Sequence, residues 1–143
     1  MICSRVLGVL EAAIPENPDQ SEPEYDAFPI LAVDGRRCVG VLEAETISLR
    51  LPVEDTTGDG RIPWLSSWMI RGPQELLAPF MQIREGDEIR FKDVYGLVRT
   101  YTVTGAGQVD NLAHVERADL VICTENAWGS VYAVSCTARN SVF

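Results

Sequence analysis

Histidine is nearly missing from this chain of 143 residues: His114 is the only one. The cysteines at 3, 38, 123 and 136 form no CxxC pair. These two scarcities leave neither a zinc ligand set nor a disulfide scaffold, so no metal and no other cofactor is expected. Positive charge is also short, with 12 Lys and Arg against 21 Asp and Glu and a net charge of −9. Such a surface repels phosphate backbones and anionic lipid unless its bases cluster, and they do not, so nucleic acid is excluded as a partner. No run approaches the roughly 20 apolar residues of a membrane span, and the chain is expected to be soluble. The N-terminus lacks a basic n-region and a small-residue cleavage site. A signal peptide is therefore not expected, and a membrane anchor, if the protein has one, is expected outside this chain. No internal repeat of about 20 to 50 residues occurs, which removes propellers and solenoids.

What is present is ordinary globular material, 46% hydrophobic and 23% charged. This length suits one domain that buries roughly two thirds of its unfolded surface. The opening stretch, ICSRVLGVLEAAI, has apolar residues at Ile2, Val6, Val9, Leu10 and Ile14, which predicts a helix over 1–14 that Pro15 ends. Residues 15–27 are rich in proline and acids and carry no base, a composition too polar to offset its own ordering entropy, and read as a linker. A single β domain is expected over 28–143.

From Phe28 the pattern becomes one of short strands. PILAV, the Asp34-Gly35 turn and CVGVLEAE make a hairpin signal. ISLRLPV alternates as a half-buried strand whose Pro52 marks an edge or an end. QELLAPFMQI allows one short helix behind Pro73, kept short by Pro79. Gly86-Asp87 turns into EIRFKD, and Tyr95-Gly96 precedes LVRTYTVT, where Leu97, Arg99, Tyr101 and Val103 share one face. GAG at 105–107 has no following helix to make a phosphate loop and reads as a turn. The last pair is DLVICT and VYAVSCTA, joined by ENAWGS. Seven or eight short strands, one internal helix, an N-terminal helix and no βαβ alternation predict an all-β fold, a closed β-barrel ahead of a sandwich.

Cys123 ends the apolar run DLVIC just before a loop, where a strand terminus at a barrel mouth meets both scaffold and solvent, and is the candidate nucleophile. A turn centred near Ala127 puts Val131 opposite Cys123 and leaves Cys136 out of disulfide reach. His114, nine residues before Cys123 in QVDNLAHVER, is the one candidate acid/base, set against the simpler reading of a solvated loop histidine. Trp64, Trp68 and Trp128 suit core or rim packing, although Trp128, after Cys123, is also placed to line a peptide groove. Glu43 and Glu45 share a strand face and read as solvated acids.

The order of these segments resembles a sortase, the cysteine transpeptidase that attaches surface proteins to the Gram-positive cell wall. VDGRRCVGVLEAETISLRLPV is similar to the opening sortase strands, IREGDEIRFKDVYGLVRTYTVT to the family's "GDEI" strand pair, and DLVICT stands at its "TLxTC" motif. The resemblance spans about residues 28–139. It implies a sortase-like barrel, a peptide sorting signal as partner and a place on the extracellular face of the membrane. It also implies three catalytic groups, a Cys, a His and an Arg, of which Cys123 alone is evident. Arg71 falls at or near the His position and does not exchange a proton at neutral pH. Val131 falls at the Arg position and brings no charge. Arg139 lies about 26 Å along the strand from Val131 and is no replacement. Arg71 close to Cys123 would lower the thiol pKa and favour a reactive thiolate without a proton donor.

These residues lead to a sortase-like barrel with a degenerate transpeptidase site, kept for binding a peptide or partner. The alternative is an active transpeptidase or hydrolase that cleaves a sorting-signal peptide through a Cys123 thioester, with His114 assisting. A plain β-barrel adaptor is the third reading.

Overall fold

A computed structural model describes residues 2–15, 28–55, 61–125 and 129–139, with side chains from residue 4 onward. Helix α1 spans Ile2–Ala13, and most of the remaining regular structure is strand: β1 (Leu31–Val33), β2 (Arg36–Ala44), β3 (Leu49–Asp55), β4 (Trp64–Ser66), β5 (Met69–Gly72), β6 (Glu88–Asp93), β7 (Val98–Val109), β8 (Leu120–Glu125) and β9 (Val131–Ala138). Between β5 and β6 lies the short helix α2 (Gln74–Leu77), followed by a 3-10 turn over Ala78–Gln82. The sheet runs β1-β2-β3-β4-β5-β8-β9-β7-β6, and pairing of β2 with β6 closes eight of the nine strands into a barrel. The all-β closed barrel expected from the sequence is the fold observed. Much of the linker, residues 16–27, lies outside the described residues.

Closure depends on one small residue. Gly40 of β2 stands opposite Asp93 of β6, and a Cβ there would lie 2.3 Å from the Lys92 carbonyl oxygen and 2.8 Å from the Phe91 ring. Only glycine permits so close an approach of two backbones. The hairpin before it turns at Asp34 and Gly35, both with positive φ, as a type I′ turn requires.

Strand parity divides the apolar side chains among three clusters. Leu42, Val53, Ile70, Ile89, Ile122 and Val134 are among those filling the barrel. On one outer face Val6, Leu10 and Ile14 of α1 pack over Val33, Cys38 and Val41. Leu10 is wholly buried, worth roughly 1.5–3 kcal/mol of hydrophobic stabilisation. On another outer face Leu112, Val115 and Ala118 pack over Val121, Cys123, Val131 and Ala133.

Three local expectations are refined or corrected. Pro52 does not end its strand: β3 continues to Asp55, and Pro52 pairs with Val41 on one side only, an edge position that needs no second hydrogen bond. The GAG segment is strand rather than turn, because a bulge between Val103 and Gly105 lets β7 run on to Val109 beside β9. Residues 64–72, where no strand is expected from the sequence, form the β4–β5 hairpin around Ser67, whose φ is 57°.

Candidate functional site

β8 positions the candidate nucleophile. Leu120 and Ile122 point into the barrel, so Val121 and Cys123 belong to the opposite, outer face. Parallel pairing with β5 sets Arg71 beside Cys123, and antiparallel pairing with β9 sets Ala133 on its other side. Trp64 of β4 pairs with Arg71, and Gly107 of β7 pairs with Ala133. A lateral row therefore reads Trp64, Arg71, Cys123, Ala133, Gly107 across five strands.

The Arg71 guanidinium lies 5.3 Å from the centre of the Trp64 ring, a cation–π contact. Among the described residues no carboxylate forms an ion pair with it. Its charge draws the Cys123 thiol pKa down, yet burial outweighs it and, with a smaller contribution from Glu125, pushes the thiol up to about 11. At pH 7 on the order of one thiol in 10⁴ is then ionised.

Cys123 was expected at an open rim and is instead 2% exposed. The reason is the 110–119 segment, which crosses the outer face of β8 and sets Leu112, Val115 and Ala118 against it. The position of Val131 also changes: it pairs with Glu125, and Ala133 stands opposite Cys123. The register differs from expectation by two residues on β9. An even shift preserves the face, so Val131 still lies in the cluster around Cys123, two pairs nearer the loop.

His114 closes a 3-10 turn over Leu112–His114 that the Asn111 side chain caps by accepting the Ala113 N–H at 2.9 Å. It is exposed, while its neighbours Leu112 and Val115 face the barrel. No hydrogen bond joins His114 to Cys123 among the described residues, and the charges acting on the thiol are those of Arg71 and Glu125. Trp128 lies outside the described residues. Among those described, no group of His, Cys, Asp and Glu is arranged to hold a metal, and no helix is long and apolar enough to cross a membrane.

Sequence reasoning missed the cover over Cys123. Its signal is present in Leu112, Val115 and Ala118, small or apolar residues at every third position of a polar stretch. It also missed a cavity of about 290 Å³ at the end of the barrel where β8 begins. Phe91 and Tyr101 line it from β6 and β7, and Ser67, Arg117 and Asp119 stand at its mouth.

Known structures place this architecture in a class. Sortase A of Listeria monocytogenes superposes with a TM-score of 0.59 at 14% identity, covering 72% of this chain and 88% of that one. Sortase C1 of Streptococcus agalactiae gives 0.62 at 16% identity, over 78% and 72% of the two chains. A lid mutant of sortase A from Corynebacterium diphtheriae gives 0.62 at 14%, over 75% and 73%. No family model and no curated protein matches the sequence. The chain has the sortase fold. Within that fold it carries a covered cysteine between an arginine and an alanine.

Proposed function

We infer that this protein is a sortase-like domain whose transpeptidase centre no longer works through Cys123, and that it binds a peptide or protein partner at a Gram-positive cell surface. One observation carries this reading: Cys123 is buried beneath residues 110–119, between Arg71 and Ala133, neither of which exchanges a proton at neutral pH. Acyl transfer needs an accessible thiolate, a donor for the leaving amine and a cation or amide pair for the oxyanion. Loss of a general acid typically costs about 10²–10⁴ in rate, and loss of one oxyanion donor about 10²–10³. A missing proton donor beside a buried thiol removes useful turnover even with the Arg71 cation at hand. A sorting-signal peptide is the partner class the fold supports, with Trp128 proposed to contact it because it follows Cys123 closely in the sequence.

The second reading, an active transpeptidase or hydrolase acting through a Cys123 thioester, draws on Arg71, which stands beside the sulfur and favours its thiolate. Alkylation of the native protein with iodoacetamide at pH 7.5, followed by peptide mapping, separates the two. We expect Cys123 to react no faster than Cys38 or Cys136, and no thioester to accumulate with sorting-signal peptides. Selective labelling of Cys123 together with a trapped acyl-enzyme would overturn the degenerate reading in favour of the active one.

A further inference from the structure

The cavity at the start of β8 has an apolar body and a charged mouth. Leu65, Ile70, Phe91, Tyr101 and Leu120 form its inner wall, and Phe28 meets Phe91 edge to face at 5.4 Å. At the mouth, Arg117 lies over the Trp68 ring at 5.9 Å and has no ion-pair partner among the described residues. Asp119 accepts the Ala138 N–H through Oδ2 at 2.7 Å, and its other oxygen has no partner among those residues. Ser67 stands at the same mouth, and its exposed hydroxyl has no hydrogen-bond partner among the described residues. Cys123 is not part of the lining, so nothing below depends on whether Cys123 is active.

Size and charge together define the ligand. At about 290 Å³ the cavity lies at the lower bound of ligand sites, room for one small molecule with a side-chain-sized apolar part and not for a peptide segment. A fatty or aromatic acid would satisfy Arg117 and be repelled by Asp119, and an amine would meet the reverse conflict. A molecule with both charged groups on one carbon, which also bears one apolar group, satisfies the whole lining. We propose that this cavity binds a free α-amino acid with an aromatic or branched aliphatic side chain. Its carboxylate meets Arg117 and Ser67, its ammonium meets Asp119, and its side chain lies among Phe28, Phe91 and Leu120. Charge-assisted hydrogen bonds at the mouth fix orientation, and the apolar wall selects the side chain.

Isothermal titration calorimetry on the whole chain tests this with L-phenylalanine and L-leucine, N-acetyl-L-phenylalanine, L-phenylalaninamide and octanoate as probes. We expect 1:1 binding of the free amino acids, with the acetylated and amidated forms each weaker by at least about tenfold, since each loses one charged hydrogen bond. Arg117→Gln should weaken L-phenylalanine by at least about tenfold with an unchanged unfolding midpoint, because Arg117 is exposed and holds no buried partner. The more conservative Asp119→Asn keeps an acceptor for Ala138 and should selectively weaken the ligands that carry an ammonium. Equal or tighter binding of N-acetyl-L-phenylalanine, which mimics a peptide C-terminus, would overturn the proposal. So would preference for octanoate, indifference to Arg117→Gln, or no heat from any amino acid at millimolar concentration.

Discussion

Two of the thiols lie on outer faces of one barrel, each beneath a covering segment, and burial brings them to similar acidity beside different charges. Cys38 lies under α1, and Cys123 lies under residues 110–119. Burial lifts both to about 11. Beside Cys38 the neighbouring charges form a closed pair, Arg36 Nη1 to Glu54 Oε1 at 2.5 Å, and their effects on the thiol oppose each other. Beside Cys123 the guanidinium of Arg71 faces an indole instead of a carboxylate. The charges beside Cys38 are therefore paired with each other, whereas the Cys123 face holds a cation whose influence burial outweighs. Equal pKa values need not mean equal latent chemistry.

The largest test of this comparison removes the barrel that both faces share. Gly40→Val drives a side chain into the Lys92 carbonyl at the closing seam and should destabilise the protein by several kcal/mol. Urea denaturation should show it, and both thiols should lose protection together. If Cys38 and Cys123 stayed protected in this variant, the two covers would not depend on barrel closure.

A second test separates the two arginines. Arg36→Gln leaves the buried Glu54 without its partner and should cost about 3–5 kcal/mol. Arg71→Gln gives up only a half-exposed cation–π contact and should cost less than about 1 kcal/mol. Thermal unfolding of the two variants checks this ordering, and equal losses would show that the Cys123 face is as tightly charge-matched as the Cys38 face.

The smallest effect is the pH response. A thiol whose folded pKa is raised holds its proton after the unfolded chain has released its own, so its contribution is complete below about 9 and is lost as pH rises to about 11. Each thiol should lower stability by about 1.4 kcal/mol per pH unit within that window. Cys136, inside the barrel and pushed up to about 12 by burial alone, extends the loss further. Under reducing conditions Cys123→Ala and Cys38→Ala should flatten the slope between pH 9 and 10.5 by equal amounts. Unequal changes would mean that the two covers do not shield their thiols equally.

Much of the fold was legible because it rests on local signals. The Asp34-Gly35 turn, the alternation in EIRFKD and the apolar run LVIC are read from turn chemistry or period, and the first is the β1–β2 turn while the other two are strands. The helix over 1–14 was read from spacing, and Val6, Leu10 and Ile14 form its buried stripe, although Val9 faces solvent. GAG at 105–107 misled because glycines mark bulges within strands as well as turns between them. At the site, the Cys123 partner was misplaced by two residues because the turn length between β8 and β9 is not written in the strand pattern.

The order of apolar and polar residues by itself determined a strand-rich chain, its approximate strand boundaries, its negative surface and the single histidine that constrains any acid–base chemistry. Local spacing sets these properties, and they need no partner in space. Only the tertiary structure decided that Arg71 and Cys123 are neighbours, that the 110–119 segment lies over the sulfur, and that Phe28, Phe91 and Arg117 surround one cavity. Residues tens of positions apart meet through strand register and barrel closure, and burial, which sets the acidity of a thiol, exists only once the segments above and below it have packed.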